Sequence, residues 1–550
     1  MSSPNSSEPR PVPVVSLEDL PGSPQDSGVL SDAAMERLAP ILREYITTRR
    51  WYRAKTRTIR DLIIQDAISL AGTDSYVTVT RIDYTEGSPD IYLIPLSISL
   101  VQGTSISDDD VLARFVLPGG EDRVIYNALA NQEFTAGLLA AIACTSSFRG
   151  RRGDLVASRT AAFDRECSDS APALKATVSR AEQSNSSIIF EDHYILKLFR
   201  KIEPGVNPDI EVGTFLTEHH FKNTPAVLGL IEYRPHEGDS MYAAILQAFV
   251  RNQGDAWKFT LDSLGGFYAR ALAQGRSAPP FKSAHPLHLA ETDMPGTARE
   301  IIGPFLKSAC LLGERTAEMH AVLASDNEDP DFRPVPFSPE RTAALHEELM
   351  QESDAAFELL RRKENSLDAE SKKLAHTLLG RESQVRKCLA SLPHSAVKAV
   401  RIRHHGDFHL GQVLATGDDF VIIDFEGEPA RPISERREKA LALRDVAGMV
   451  RSFQYAAYAA LRVVRGVTLA NHAAMESWAD YWAAWVSANY LRGYFDRARH
   501  LPFAPGDAKE RRMLLDAFLL QKALYEIVYE LNNRPDWAPI PLRGLLCLLN

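Results

Sequence analysis

The chain has 550 residues, several times the length of a typical domain, with 62 Lys plus Arg against 72 Asp plus Glu and a formal charge of −10. Its 45% apolar content excludes a chain disordered throughout, and the acidic balance gives no support for gripping a nucleic-acid backbone. Five scattered cysteines (Cys144, Cys167, Cys310, Cys388, Cys547) without CxxC spacing exclude a disulfide framework or a zinc site and point to a reducing cytoplasm.

Residues 1–30 are rich in Ser and Pro, lack the basic-then-apolar order of a secretion signal, and read as a disordered tail. No uncharged apolar run reaches the roughly 18 residues a bilayer requires, so no membrane association is expected. Order is expected from Ser31, the N-cap of a helix over SDAAMERLAPILREYITTRRW. The runs IRDLIIQDAISL, SYVTVTRIDY and DIYLIPLSISLV alternate apolar and polar residues and read as strands, giving a small α+β unit over 31–130. A helix follows at NQEFTAGLLAAIA, then residues 148–170, whose weak periodicity suggests a connecting loop. Strands resume at ALKATVSRAEQ, SSIIFEDHYILKLFRKI and YAAILQAFV, with a polar break at 184–187 and a helix over 208–219, a β-rich unit spanning 131–253.

From 254 to 550 the period is helical, clearest at 296–325, 338–392, 437–465, 468–498 and 507–531. One strand pair interrupts it, AVKAVRIRHHGD and then QVLATGDDFVIIDFEG. The whole reads as an α+β protein of two lobes with a cleft between them. Trp478, Trp482 and Trp485 recur on one helix face and read as core. His320 reads as a packing histidine.

The chemistry concentrates in His405-Gly406-Asp407-Phe408-His409-Leu410-Gly411-Gln412 and in Ile423-Asp424-Phe425-Glu426-Gly427. Asp407 and Gln412 share a loop, and Asp424 ends an apolar strand. Two carboxylates and an amide oxygen at one end of a hairpin suit phosphoryl transfer: one carboxylate orients a hydroxyl, while hard oxygens hold Mg²⁺. Either Asp taken alone is equally a turn residue. Lys522, Tyr525, Glu526 and Tyr529 share a helix face, which suits either a sugar platform or core packing.

The pattern HGDxHxxN…IDFE resembles the aminoglycoside-phosphotransferase-like and choline-kinase-like branch of the protein-kinase fold. More narrowly, HGDFHLGQVL, IDFEGEPARP, LRDVAGMVRSFQYAA and LYEIVYELNNRPDW resemble the maltokinase family over roughly 35–550. The resemblance implies a bilobal protein-kinase-like fold with an N-terminal α+β cap, a β-rich ATP-binding N-lobe and a mostly helical C-lobe. It implies transfer of the ATP γ-phosphate to the anomeric hydroxyl of maltose, giving maltose 1-phosphate for α-glucan (glycogen) synthesis. Asp407 is then the base, with Gln412 and Asp424 as magnesium ligands. Lys197 meets the α/β-phosphates, with Glu211 as its acidic partner. Ser184, Asn185, Ser186 and Ser187 replace a glycine-rich loop, and Gln247 and Phe249 lie on the hinge. His405, Lys522, Tyr525 and Tyr529 line the sugar site, and Asp445 bonds the catalytic-loop backbone or simply favours its helix N-terminus. Arg431 either contacts sugar or braces its loop. ATP and maltose are the implied partners, with trehalose synthase as a candidate third and no nucleic acid. The alternatives are another sugar, an aminoglycoside or a choline-type substrate on the same fold, or a non-catalytic pseudokinase scaffold. Retention of Lys197, Asp407, Gln412 and Asp424 speaks against the last.

Overall fold

A computed structural model describes residues 14–16, 30–70, 73–101, 106–116, 122–166, 174–179, 184–280, 285–392, 397–429 and 431–549. The chain divides into two compact units, one of residues 1–217 with 225–250 and one of residues 218–224 with 251–550. Sheets fill the first and helices dominate the second.

The first unit holds two seven-stranded sheets. One runs, in spatial order, Val14–Ser16, Val111–Val116, Asp122–Asn127, Asp90–Leu100, Ser75–Tyr84, Ile59–Ser69, with Lys201–Ile202 also paired to Asp90–Leu100. Helix Asp32–Thr47 covers it, started by Ser31, whose side chain accepts from the Ala34 N–H at 3.2 Å. Leu38, Leu42, Tyr45 and Ile46 of that helix join Leu62, Ile64, Ile82 and Ile94 in one core. Each such side chain contributes about 1.5–3 kcal/mol by leaving water. The tail expected over 1–30 lies outside the described residues except for Val14–Ser16, a parallel strand on Val111–Val116, and Leu30, which is buried.

The second sheet runs Ser147–Arg149, Gly153–Arg159, Val227–Pro235, Met241–Ala248, Tyr194–Leu198, Ser186–Phe190, Ala176–Val178. Residues 148–170 are therefore not a plain loop: they supply two strands of this sheet and helix Ala161–Glu166. Strand Gly153–Arg159 buries Leu155 and Ala157 alternately, a pattern too short to stand out beside the charges around it. The two sheets share a core in which Ile68, Val77, Val79 and Leu93 meet Leu155, Leu196, Leu198 and Ile231. A bulge between Ile64 and Asp66 accompanies the inward turn of Asp66. Its buried carboxylate accepts the N–H groups of Arg151 and Arg152, each at 3.0 Å, and so fixes the turn between the first two strands of the second sheet.

In the second unit, helices Phe305–Leu323 and His472–Ala498 pack backbone to backbone. A Cβ at Gly313 would lie 2.0 Å from the Tyr490 carbonyl, and one at Gly493 would lie 2.0 Å from the Cys310 carbonyl, so only glycine permits this approach. Trp478, Trp482 and Trp485 are all buried, with Phe267, Phe305 and Phe453 around Trp482. The strand pair read from the sequence is rearranged. Val400–Arg401 pairs with Val335–Pro336, while the hairpin forms between Val413–Ala415 and Phe420–Ile422. Among the described residues no helix is long and apolar enough to cross a membrane, and Cys144, Cys310, Cys388 and Cys547 are unbridged.

Candidate active site

In the first unit, Lys197 pairs in register with Ser187 on one neighbouring strand and with Ile245 on the other. Side chains alternate across a strand, so Ser187, Ile189, Ile195, Lys197 and Gln247 share one face. All five are half-buried there, whereas Ile188, Leu196 and Leu246 on the opposite face are fully buried. This is an open apolar floor with one ammonium on it. Lys197 Nζ lies 2.9 Å from Asp209 Oδ2, in the first turn of helix Pro208–Glu218. The acidic partner seen here is Asp209, where the sequence suggested Glu211. Asp209 is 1% exposed, so its charge acts through little water.

The polar stretch before Lys197 divides by role. Asn185 is buried and accepts the Arg200 N–H at 3.3 Å, and Ser186 accepts from Arg200 Nε at 2.9 Å. Arg200 thus engages both side chains through their oxygens, whereas the sequence offered them as phosphate donors. Ser184 and Ser187 stay half-buried. At the end of strand Met241–Ala248, the Ala248 N–H donates to Ala226 O and the Phe249 N–H to His193 O, each at 2.9 Å. The Phe249 N–H is thus paired within the first unit.

In the second unit, the 402–409 loop is held from beneath. Asp445, in the first turn of helix Leu443–Leu461, accepts the N–H of His405 at 2.8 Å and that of Gly406 at 3.0 Å. Its bracing role is thereby visible. His320 Nε2 reaches the same carboxylate at 3.0 Å while its Nδ1 meets the Tyr494 hydroxyl at 3.0 Å. Burial alone would raise the Asp445 carboxyl, but His404, His320 and His405 around it hold it well below the ordinary range. Gly406 takes φ 85°, which points the chain onward to Asp407.

His405 is 1% exposed, its ring between Phe408 at 5.1 Å and Phe425 at 5.0 Å. One ring nitrogen faces the Ile423 carbonyl at 2.9 Å and the other faces the Asp407 N–H at 3.4 Å. It clamps the loop to the segment after strand Phe420–Ile422 that leads to Asp424, so the ring expected at the sugar is turned inward here. Gln412 ends the turn Leu410–Gln412, and its carbonyl accepts the Ile423 N–H at 3.0 Å, so Gln412 and Asp424 flank one backbone bond. Asp424 adopts φ 67°, a left-handed conformation that costs a non-glycine residue about 1–3 kcal/mol. Such strain at a carboxylate is a mark of a functional position.

Asp407 Oδ1 accepts from Lys522 Nζ at 3.1 Å. Burial works against both charges and the partner outweighs it, holding the Asp407 carboxyl low and the Lys522 ammonium high. His409 Nε2 stands 3.8 Å from Asp407 Oδ2, while its Nδ1 accepts the Gly411 N–H. Burial keeps His409 below its usual value despite that carboxylate. Helix Ala508–Asn533, which carries Lys522, is anchored by Glu526, to which the buried Arg451 donates from Nε at 3.0 Å and from Nη2 at 2.5 Å. A small cleft of about 60 Å³ opens beside Asp407, lined among others by Glu352, Glu428, Arg431, Lys522 and Tyr525. Arg431 is tied to Glu348 at 3.2 Å and to Glu352 at 3.0 Å, so its guanidinium braces its loop against helix Pro339–Lys363.

Residues 45–130 match the model of the maltokinase N-terminal cap domain. A glucosamine kinase of Mycolicibacterium smegmatis is 24% identical over 67% of this chain and 78% of its own length. One of Streptacidiphilus jiangxiensis is 25% identical over 67% and 72%. A solved glucosamine kinase in complex with glucosamine, ADP and inorganic phosphate superimposes with a TM-score of 0.58 at 19% identity, covering 92% of this chain and 99% of that one. The chain is thus similar to sugar kinases over two thirds of its length and to a maltokinase cap domain over residues 45–130. Its fold is kinase-like and of the α+β class.

Three polar residues beside the predicted positions were not assigned from sequence, Asp209 in the first unit and His409 and Glu352 in the second. Asp209 sits two places before the more conspicuous Glu211. His409 was within the motif, and its place beside Asp407 needs the turn at Leu410–Gln412. Glu352 lies on a helix with no motif of its own, and no local signal marks it.

Proposed function

We propose that this chain is an ATP-dependent sugar kinase that phosphorylates the anomeric hydroxyl of maltose. The observation that carries the reading is the Asp407–Lys522 pair in a cleft roofed by Tyr525. A carboxylate kept ionised by the half-buried Lys522 ammonium can accept a proton at neutral pH. The acceptor O–H gives its proton to Asp407, the freed oxygen bonds to the γ-phosphorus, and the bond from that phosphorus to the β-bridging oxygen breaks, leaving ADP. Lys522 is placed to orient the acceptor, and Lys197 to meet the polyphosphate.

The Ile423 N–H to Gln412 carbonyl bond brings the backbones before Asp424 and at Gln412 together, and the side chains of both offer hard oxygens of the kind that suits Mg²⁺. When bound there it would neutralise charge on the phosphate oxygens. The C-terminal LYEIVYELNNRPDW stretch, whose Tyr525 and Tyr529 share a helix face with the preceding Lys522, supports maltose as the acceptor. The product then enters α-glucan synthesis in the cytoplasm, with trehalose synthase a candidate partner.

A second reading is glucosamine. It is favoured by Glu352 and Glu428 in the cleft lining, which suit an ammonium, and by the two glucosamine kinases among the relatives. ADP release measured with maltose, glucosamine, glucose and kanamycin separates the cases. Turnover confined to maltose supports the first reading, turnover confined to glucosamine replaces it, and none with any sugar rejects both.

A further inference from the structure

Arg200 follows Lys197 by three residues and takes no part in the chemistry above, yet it is 2% exposed. The chain passes at this residue from one sheet of the first unit to the other. Strand Tyr194–Leu198 ends two places earlier, and Lys201–Ile202 pairs with Tyr92 and Ile91. A guanidinium taken out of water needs its donors met.

The contacts of Arg200 diverge. Its Nε donates to Ser186 Oγ at 2.9 Å, and its backbone N–H donates to Asn185 Oδ1 at 3.3 Å. Its Nη1 reaches the Leu93 carbonyl at 3.5 Å, while the Arg200 carbonyl accepts the Leu93 N–H at 2.8 Å. The guanidinium carbon lies 5.0 Å from the centre of the Trp51 ring, within range of cation–π attraction. All of these partners are neutral. Burial pushes the guanidinium down to about 10, so it is still charged at neutral pH.

Ser186 pairs in register with Leu198, and Ser187 with Lys197. Successive side chains alternate, so Ser187 shares the open face with Lys197 while Ser186 lies on the other side. Arg200 therefore grips the polar turn from behind. A planar fork can meet a hydroxyl, a carbonyl and an indole face at once, whereas an ammonium on a flexible stem cannot.

We propose that Arg200 is a positioning residue: through Ser186 it holds the 184–187 turn so that Ser187 and Lys197 together receive the polyphosphate of a nucleotide. The ligand rests on the kinase reading above; the grip on the turn does not. An anionic ligand also accounts for the neutral partners. A carboxylate beside Arg200 would repel a polyphosphate approaching the same turn, whereas hydroxyl and carbonyl oxygens hold the fork and leave its positive field in place.

The test compares ADP with adenosine by calorimetric titration of the full chain, since the two share base and ribose and only ADP carries phosphates. The unaltered chain should bind ADP the more tightly. Arg200→Lys, which keeps the charge and loses the fork, should lower ADP affinity about tenfold and leave adenosine affinity unchanged. Ser186→Ala, at a half-buried position, should do the same, and it decides alone should Arg200→Lys fail to fold. The double variant should lose no more than either single one, because both cut one link. ADP affinity unmoved in these variants, losses that add in full, or a parallel fall for adenosine overturns the role. If the unaltered chain binds ADP no more tightly than adenosine, the polyphosphate reading of this face fails first and the role of Arg200 falls with it.

Discussion

Lys522 and Asp407 are 115 positions apart in the chain, yet the ammonium of one lies 3.1 Å from the carboxylate of the other. The pair joins the long helix Ala508–Asn533 to the loop that Asp445 holds from below. It sets the charge state of the proposed base, which makes the site's pH behaviour testable.

Lys522→Met removes the main influence that lowers the Asp407 carboxyl. Burial then prevails and its pKa rises. Activity needs the ionised carboxylate, so the acid limb of the rate profile should move to higher pH. The rate at neutral pH should fall about 10²-fold. A profile of kcat/KM against pH checks this, and a limb that stays in place would show that Asp407 does not govern it.

Asp407→Asn keeps the shape of the side chain and abolishes its basicity. Turnover should fall by about 10²–10⁴-fold, with the melting temperature and nucleotide binding little changed. Near-normal turnover in a well-folded variant removes Asp407 from the role of base.

How far the sequence carried can be seen residue by residue. Asp407, Lys522 and Tyr525 line one cleft; helical spacing alone left Lys522 and Tyr525 open to core packing, and only the family resemblance put them near the acceptor. Ser31 caps its helix, and the Trp478 stripe is core. Other readings failed where long-range contacts decide. Asn185 and Ser186 are polar residues before a strand, and nothing local reveals that Arg200 binds both. The ring of His405 turns inward because Phe408 and Phe425 close on it, a packing choice no spacing encodes. Val400–Arg401 finds its partner at Val335–Pro336, across a stretch of helices, so the strand pairing could not be read from neighbours alone.

The partner of Lys197 yields a direct comparison. Asp209→Asn deletes the carboxylate 2.9 Å from Nζ and leaves the ammonium half-buried with less support. Its KM for ATP should rise about tenfold more than that of Glu211→Gln, an amount within the cost of breaking a buried pair. Equal effects, or a larger one at Glu211, would return Glu211 to the role the sequence first suggested.

Asp424 combines a charge with a strained backbone, and two substitutions separate them. Both Asp424→Gly and Asp424→Ala lose the carboxylate, so magnesium-dependent ADP release should vanish in each. Glycine adopts φ 67° freely while alanine does not, so Asp424→Gly should be the more stable of the two by about 1 kcal/mol. Chemical denaturation measures the difference. Retained activity in either variant would strip Asp424 of its proposed place at the metal.

His404 predicts how the protein responds to acid. Burial, which outweighs the nearby Asp445 carboxylate, pushes its pKa down to about 4, against 6.5 for the free side chain. Between these values the unfolded chain binds a proton that the folded chain refuses, so stability is full above about pH 6.5 and is lost as pH falls toward 4. The gap from 6.5 to about 4 corresponds to about 3 kcal/mol. Asp445, held low, acts in a different window, since its contribution persists above the ordinary carboxylate range and fades only below it. His409 is also held below its usual value, so part of the slope will remain without His404. Melting temperatures at pH 4.5 and 7, which span most of the about 4-to-6.5 window, should therefore differ less for His404→Gln than for the unaltered chain. An identical pH slope in the two proteins would mean that His404 takes up its proton as readily in the folded state as in the unfolded one.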